Sequence, residues 1–132
     1  MSLHKVGRIV VAVVAAMLIL IGLAYLLFPM EILSLTGQFT IDGDALIDVR
    51  ATYGGIQLGL GLFLGIQLIK RENIIFSLFL LAVIFTSVGG IRLVSALVEE
   101  DLSYLHMLAA LAEIASAAGC MLLSKSIAKK TN

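Results

Sequence analysis

The chain has 132 residues, 61% of them hydrophobic and 14% charged, against roughly 45–50% and about 25% in ordinary soluble domains. A water-soluble domain this small leaves much of its surface exposed and needs charge to cover it. A soluble globular enzyme, a disordered chain and a nucleic-acid binder are therefore set aside. Nine basic residues balance nine acidic ones, which implies no bulk electrostatic partner. The single cysteine, Cys120, excludes an internal disulfide framework and a multi-thiolate metal site.

Taken in chain order, the first uncharged run is Ile9 to Phe28. It is closed by Pro29, the sole proline, which breaks a helix interior. Lys5 and Arg8 precede this run as they would a signal peptide. The run is longer than an h-region of about 7–15 residues, and no A-x-A-like site follows it, so it is expected to stay as a span. Ala51 to Ile69 is uncharged and ends at Lys70-Arg71-Glu72-Asn73. Ile74 to Val98 follows, interrupted by Arg92, and stops at Glu99-Glu100-Asp101. Leu102 to Ile127 comes last, with Glu113 near its middle. Each run is long enough to cross a hydrocarbon core of about 30 Å at about 1.5 Å per residue. The expectation is an all-α polytopic membrane protein: an antiparallel four-transmembrane-helix bundle over residues 1–132 as a single domain, with helices at about 9–28, 48–69, 74–98 and 102–127.

The connections carry the orientation. Lys5, Arg8, Lys70, Arg71, Lys125, Lys129 and Lys130 fall on one side of a four-span arrangement. Glu31, Asp42, Asp44, Asp48, Glu99, Glu100 and Asp101 fall on the other, where Arg50 is the lone basic residue. The positive-inside rule then places both termini in the cytoplasm and the chain in a cell inner (plasma) membrane. The longest connection, Pro29 to about Ile47, is on the outer side and holds the turn signals Thr36-Gly37 and Asp42-Gly43-Asp44. Met30 to Leu35 is apolar enough to lie as a short interfacial helix.

At about 100° per residue, helix faces can be compared. On the second span Arg50, Gly54, Gln57, Gly61 and Gly65 share one arc, and Asp48, Thr52, Gly55 and Gly59 share the opposite one. Gly55-x-x-x-Gly59 and Gly61-x-x-x-Gly65 are small-xxx-small patterns that let helix backbones approach closely. On the third span Phe85, Val88, Gly89, Arg92, Ala96 and Glu99 share a face. On the fourth, His106, Ala109, Ala110, Glu113, Ser116, Ala117, Cys120 and Ser124 do.

Charge inside a span costs about 2.5–3.5 kcal/mol unless it is paired or hydrated. Arg92 lies roughly 9 Å and Glu113 roughly 16 Å inside the outer ends of their helices. Side chains lean toward their helix N-terminus. Arg92 on an outward-running helix and Glu113 on an inward-running one therefore converge. An Arg92–Glu113 ion pair is predicted, with Tyr53, Gln57 and His106 as candidate neighbours and Arg50 and Asp48 at the mouth of the same cavity. Such a pair either fixes how helices pack or marks a functional site. His106 reads as a polar anchor, since no second histidine lies in the membrane region. Cys120 reads as a small packing residue. No nucleophile elbow, P-loop or dinucleotide fingerprint is present, and neither a cofactor nor a metal is implied.

The second span opens Arg50-Ala51-Thr52-Tyr53-Gly54-Gly55-Ile56-Gln57-Leu58-Gly59-Leu60-Gly61-Leu62-Phe63. This string resembles the signature of an uncharacterised domain-of-unknown-function family (DUF4345-like) of small bacterial four-helix membrane proteins, distantly similar to DoxX-type proteins. Pro29, the Thr-Gly of the outer loop and Arg92 extend the resemblance over nearly the whole chain. It implies a fold and a membrane location but no activity, substrate or cofactor, and it makes Arg50, Tyr53, Gly54, Gly55, Gly59 and Gly61 the leading positions for any shared site.

Three functional readings follow. The first is a protein binding or moving a lipophilic molecule with a polar head, in an inter-helix cavity lined by Arg50, Tyr53, Gln57, Arg92 and Glu113. The second is a small membrane isomerase or reductase in which Glu113, Asp48 or His106 moves protons and Arg92 stabilises negative charge. The third is a homodimer or an accessory subunit of a larger membrane complex, docked through Gly54, Gly55, Gly59, Gly61 and Gly65.

Overall fold

The computed structural model describes residues 2–35, 43–70, 73–98 and 104–131, and these residues form an all-α protein. The elements are α1 (Leu3–Leu27), α2 (Pro29–Leu35), α3 (Gly43–Val49), a π-helical stretch (Arg50–Gly55), α4 (Ile56–Ile69), α5 (Ile74–Val98) and α6 (Tyr104–Thr131). Four helical segments are long and apolar enough to cross a membrane: Leu3–Leu27, Ala45–Ile69, Ile74–Val98 and Tyr104–Lys130. Only 17 to 33% of the most apolar window in each is buried, and the exposed remainder carries large side chains such as Leu20, Ile66, Leu105, Leu111 and Leu122. In water such a surface would aggregate; in lipid it is solvated. The chain is a multi-pass membrane protein.

Helix boundaries follow local chemistry. Pro29 has no N–H to return to Tyr25, so α1 closes with Phe28 N–H donating to the Ala24 carbonyl at 2.8 Å. Helix α2 then starts on proline, which fits a first helical turn; it is the short apolar helix expected beyond the first span. The long connection is thus partly helical, and α3 begins at Gly43, where the helix formers Ala45 and Leu46 follow. Before α5, the Asn73 side-chain carbonyl accepts from Ile75 N–H at 3.1 Å and Phe76 N–H at 3.4 Å, an N-cap in which Phe76 N–H also donates to the Asn73 backbone carbonyl at 3.1 Å. Thr36, Gly37, Asp42, Arg71, Glu72, Glu99, Glu100 and Asp101 lie outside the described residues, as does the side chain of Asp44.

The chain divides into two compact units, residues 9–72 and residues 1–8 with 73–132. In the first, α1 and the α3–π–α4 helix run antiparallel: Gly22 faces Gly54 and Leu58, while Ala15 and Ile19, earlier in α1, face Gly61. Contact here is backbone against backbone. A Cβ at Gly22 would lie 2.6 Å from the Leu58 nitrogen and 2.9 Å from the Gly54 carbonyl, and one at Gly61 would lie 2.8 Å from the Ile19 nitrogen and 2.9 Å from the Ala15 carbonyl. Gly59 and Gly65 have nothing within 4 Å of an added Cβ, and Gly55 meets only the Arg50 carbonyl at 4.0 Å.

In the second unit α5 and α6 are also antiparallel. Gly89 packs on Ala110, Glu113 and Ile114, and Ser124 donates to the Ile75 carbonyl at 3.2 Å. Ile74, Ser77, Leu78, Leu81, Ala82, Gly89 and Ala96 are buried on α5, and Ala110, Ala117, Cys120, Ser124 and Ile127 on α6. From Ala110 to Ile127 the inward positions of α6 alternate in steps of three and four, the spacing of left-handed helix packing.

Adding one methyl group should separate the two kinds of glycine. Gly22→Ala forces two backbones apart and is expected to cost about 1–3 kcal/mol, whereas Gly59→Ala enters open space and leaves stability unchanged or raised, alanine being the better helix former. Thermal unfolding in a mild detergent, followed by helical circular dichroism, checks this; equal midpoints for the two variants would show that the contact at Gly22 does not hold the pair together.

Candidate functional site

Two charged features stand inside the helices. The first joins α5 to α6. The Arg92 Nε donates to Glu113 Oε2 at 3.0 Å and its Nη2 donates to Oε1 at 2.8 Å. This is a bidentate guanidinium–carboxylate fork, the strongest common form of such a pair. Gly89 makes it reachable. With no side chain there, the α6 backbone at Ala110 and Glu113 comes close, and Arg92 sits one turn further along α5 on the same face. Both side chains are partly shielded, 34% exposed for Arg92 and 18% for Glu113.

The second feature is the π-helical stretch Arg50–Gly55. Hydrogen bonding from i to i+5 places an extra residue in the turn and is often found at functional positions. The helix is continuous through it, with Val49 at φ −60°, ψ −48° and Ile56 at φ −64°, ψ −45°. A groove of about 370 Å³ opens beside it, lined by Leu26, Ile47, Arg50, Ala51, Gly54, Gly55 and Leu58. Its small-residue lining comes from Ala51, Gly54 and Gly55, and its bulky apolar lining from Leu26, Ile47 and Leu58. Arg50 is its single charged group, exposed and without a hydrogen bond or ion pair to any described residue. One residue pair beside the groove is tied by aromatic contact: Tyr25 and Tyr53 stack with ring centroids 5.5 Å apart and planes inclined by 27°, an arrangement worth about 0.5–1.5 kcal/mol.

The sequence-derived candidates therefore fall into two groups. Arg50, Tyr53, Gln57 and Asp48 belong to the unit of residues 9–72; Arg92, Glu113 and His106 belong to the other. The structure joins Arg92 to Glu113, and Arg50 shares a groove with Gly54 and Gly55. Asp48 and His106 are exposed, and Gln57 is half-buried. Cys120 is buried. Among the described residues no three His, Cys, Asp or Glu side chains gather in one place. A second groove, of about 430 Å³, is lined by α5 alone, through Thr86, Ser87, Gly90, Ile91, Val94 and Ser95, and contains no charge.

Some participants escape the sequence reading. Tyr25, Leu26, Ile47, Ala51 and Leu58 complete the groove and its margin, and Ala15, Ile19 and Gly22 receive the second span. A signal for the last group exists: Ala15 and Gly22 are seven residues apart, as are Gly54 and Gly61, which is the repeat of two helices packed at a shallow angle. The π geometry has no comparable signal in composition or period.

The family model described as Domain of unknown function (DUF4345) matches residues 6–124. No curated protein and no solved structure matches the chain.

Breaking the Arg92–Glu113 fork on one side strands a charge in a span. Arg92→Leu or Glu113→Leu alone is expected to cost on the order of 2–3 kcal/mol, and the double replacement less than either single one. Unfolding of the four proteins in mixed micelles measures the coupling; equal losses from single and double variants would mean that the two residues act independently.

Proposed function

We start from a chain that belongs to the DUF4345 family, a domain of unknown function, and we propose that this small integral membrane protein binds a lipophilic molecule with an anionic head in the groove beside its π-helical stretch. The observation that carries this reading is the groove itself: a glycine and alanine lining, leucine and isoleucine beside it, and one uncompensated arginine. Ligand sites of about 300–1,000 Å³ typically combine an apolar lining with very few polar groups that fix orientation. Arg50 supplies a charge-assisted donor for a carboxylate or phosphate, and the apolar residues take the tail. The groove involves the last residues of α1 and the opening of the second span, so a head group at Arg50 stays near the membrane boundary while its tail lies along the helices.

The distribution of Lys and Arg supports an orientation with both termini cytoplasmic in a bacterial inner membrane, and hence a groove open to the outer leaflet. Arg92 and Glu113 have a different part in this reading. Each occupies the other's bidentate face, so they clamp α5 to α6 rather than receive the ligand or move protons for an isomerase or reductase. A second reading has its own support. Gly55, Gly59 and Leu62 lie on an exposed surface, which suits a homodimer or an accessory subunit of a larger membrane complex.

The test compares oleate with oleyl alcohol, which differ in the charge of the head, by native mass spectrometry of the detergent-purified protein. The acid should bind at least about tenfold more tightly, the equivalent of about 1.4 kcal/mol. Arg50→Gln should remove the preference, and Gly55→Leu, which fills the groove, should remove binding of both. Equal binding of acid and alcohol by the parent, or full binding by Gly55→Leu, would refute the groove as the site.

A further inference from the structure

The same molecule carries a second charged region at the other extreme of the chain. Gly7 of α1 packs directly on the end of α6: an added Cβ would lie 3.1 Å from the Ile127 side chain, with Leu78 and Ile74 of α5 at 3.2 and 3.4 Å. That contact fixes the first turns of α1 beside the last turns of α6, within one compact unit. Five cationic side chains and a histidine lie within one turn of it along the two helices: Lys5 and Arg8 with His4 on α1, and Lys125, Lys129 and Lys130 on α6. None is more than three residues, about 5 Å along its helix, from the Gly7–Ile127 contact. All but Arg8 are exposed, and Arg8 is already engaged within the protein, so it contributes charge while the others contribute free reach.

Arg8 aside, no side-chain carboxylate near them balances the others among the described residues of this unit. The unit's described carboxylate, Glu113, is fourteen residues further along α6, about 21 Å away, and is consumed by Arg92. The backbone adds to the imbalance at α1. Its first turn holds no acidic residue, although the positive end of the helix dipole favours one. Lys125 and Lys129 also stand at i and i+4, a like-charge spacing that repels. Held this closely, the cations lie within about one 8 Å screening length of neighbours on their own helix, so an anion that neutralises several of them at once is favoured.

We propose that this end of the protein binds the phosphate of an anionic phospholipid from the leaflet on the side of the chain termini, held between the start of α1 and the end of α6. The lipid source follows from depth. Helix α6 has 28 residues, about 42 Å of length against a hydrocarbon core of about 30 Å. Its last turn, with Lys129 and Lys130, therefore reaches head-group level just beyond the apolar Ile127, and Lys125 lies one turn before it. Lysine stems lie along the apolar surface while their ammonium groups meet the phosphates. The site is independent of the groove at Arg50.

Native mass spectrometry of the detergent-purified full chain, titrated with phosphatidylglycerol or phosphatidylcholine of identical acyl chains, tests the proposal. Phosphatidylglycerol should be retained at least about tenfold more strongly. Lys125→Gln, Lys129→Gln and Lys130→Gln together should abolish that preference, and Lys5→Gln with His4→Gln should reduce it from the other helix. All of these titrations are run in an Arg50→Gln background, which removes the head-group donor of the groove, and Lys70→Gln, outside this unit, should leave the preference intact. Equal retention of the two lipids, or undiminished preference in both the α6 and the α1 variants, would overturn the proposal. Displacement of phosphatidylglycerol by equimolar inorganic phosphate would overturn the assignment to a lipid.

Discussion

Helices in a bilayer gain little by hiding apolar side chains from one another, because the lipid is as apolar as the helix neighbour. What holds two spans together must then be close van der Waals packing or polar contact, and this chain uses one in each of its two units. Between α1 and the second span the contact is backbone on backbone, made by Ala15, Gly22, Gly54 and Gly61. Between α5 and α6 it is a bidentate ion pair together with the Ser124 hydroxyl bond to the Ile75 carbonyl. Even there a glycine eases the approach. A Cβ at Gly89 would lie 3.1 to 3.4 Å from Ile114, Glu113 and Ala110, so those neighbours would have to give by a few tenths of an ångström.

The two arginines of the spans show why an ionisable residue in a membrane has to be read through its partners. Arg92 is matched by a carboxylate at 2.8 and 3.0 Å, so its charge is already answered within the protein. Arg50 has no described partner and lines a groove. The presumption that intramembrane charge marks a site therefore divides: Arg92 meets it through structure, Arg50 through availability.

Much of this was legible in the residues. Apolar run length marks the four spans, and the lean of side chains toward helix N-termini brings Arg92 and Glu113 together, because both effects depend only on local geometry. The inner face of α6 was also readable, although His106 and Ser116, placed on it by a uniform turn of about 100°, are exposed. That drift is the cost of treating a face as an arc when burial follows the narrower seam of a packed partner. The π stretch was not legible. Whether Arg50–Gly55 bonds from i to i+5 or i to i+4 depends on what presses against it; the small-residue spacing points to Gly55–Gly59 and Gly61–Gly65, whereas the backbones meet at Gly54 and Gly61, against Gly22 and Ala15.

An exposed arginine near a membrane boundary is not by itself a sign of a ligand, since its long stem can carry the charge to the head groups at small cost. The glycines weigh more. Glycine in a helix is less favourable than alanine by about 1 kcal/mol, and at Gly22, Gly54 and Gly61 the closeness of two backbones offsets that cost. Gly55 has no such return: its added Cβ would meet only a carbonyl of its own helix at 4.0 Å. Yet it lines the groove with Gly54 and Ala51, one π turn beyond Arg50. What the residue provides there is room rather than contact, and room beside a cation with no partner among the described residues is the physical basis for the proposed anionic amphiphile.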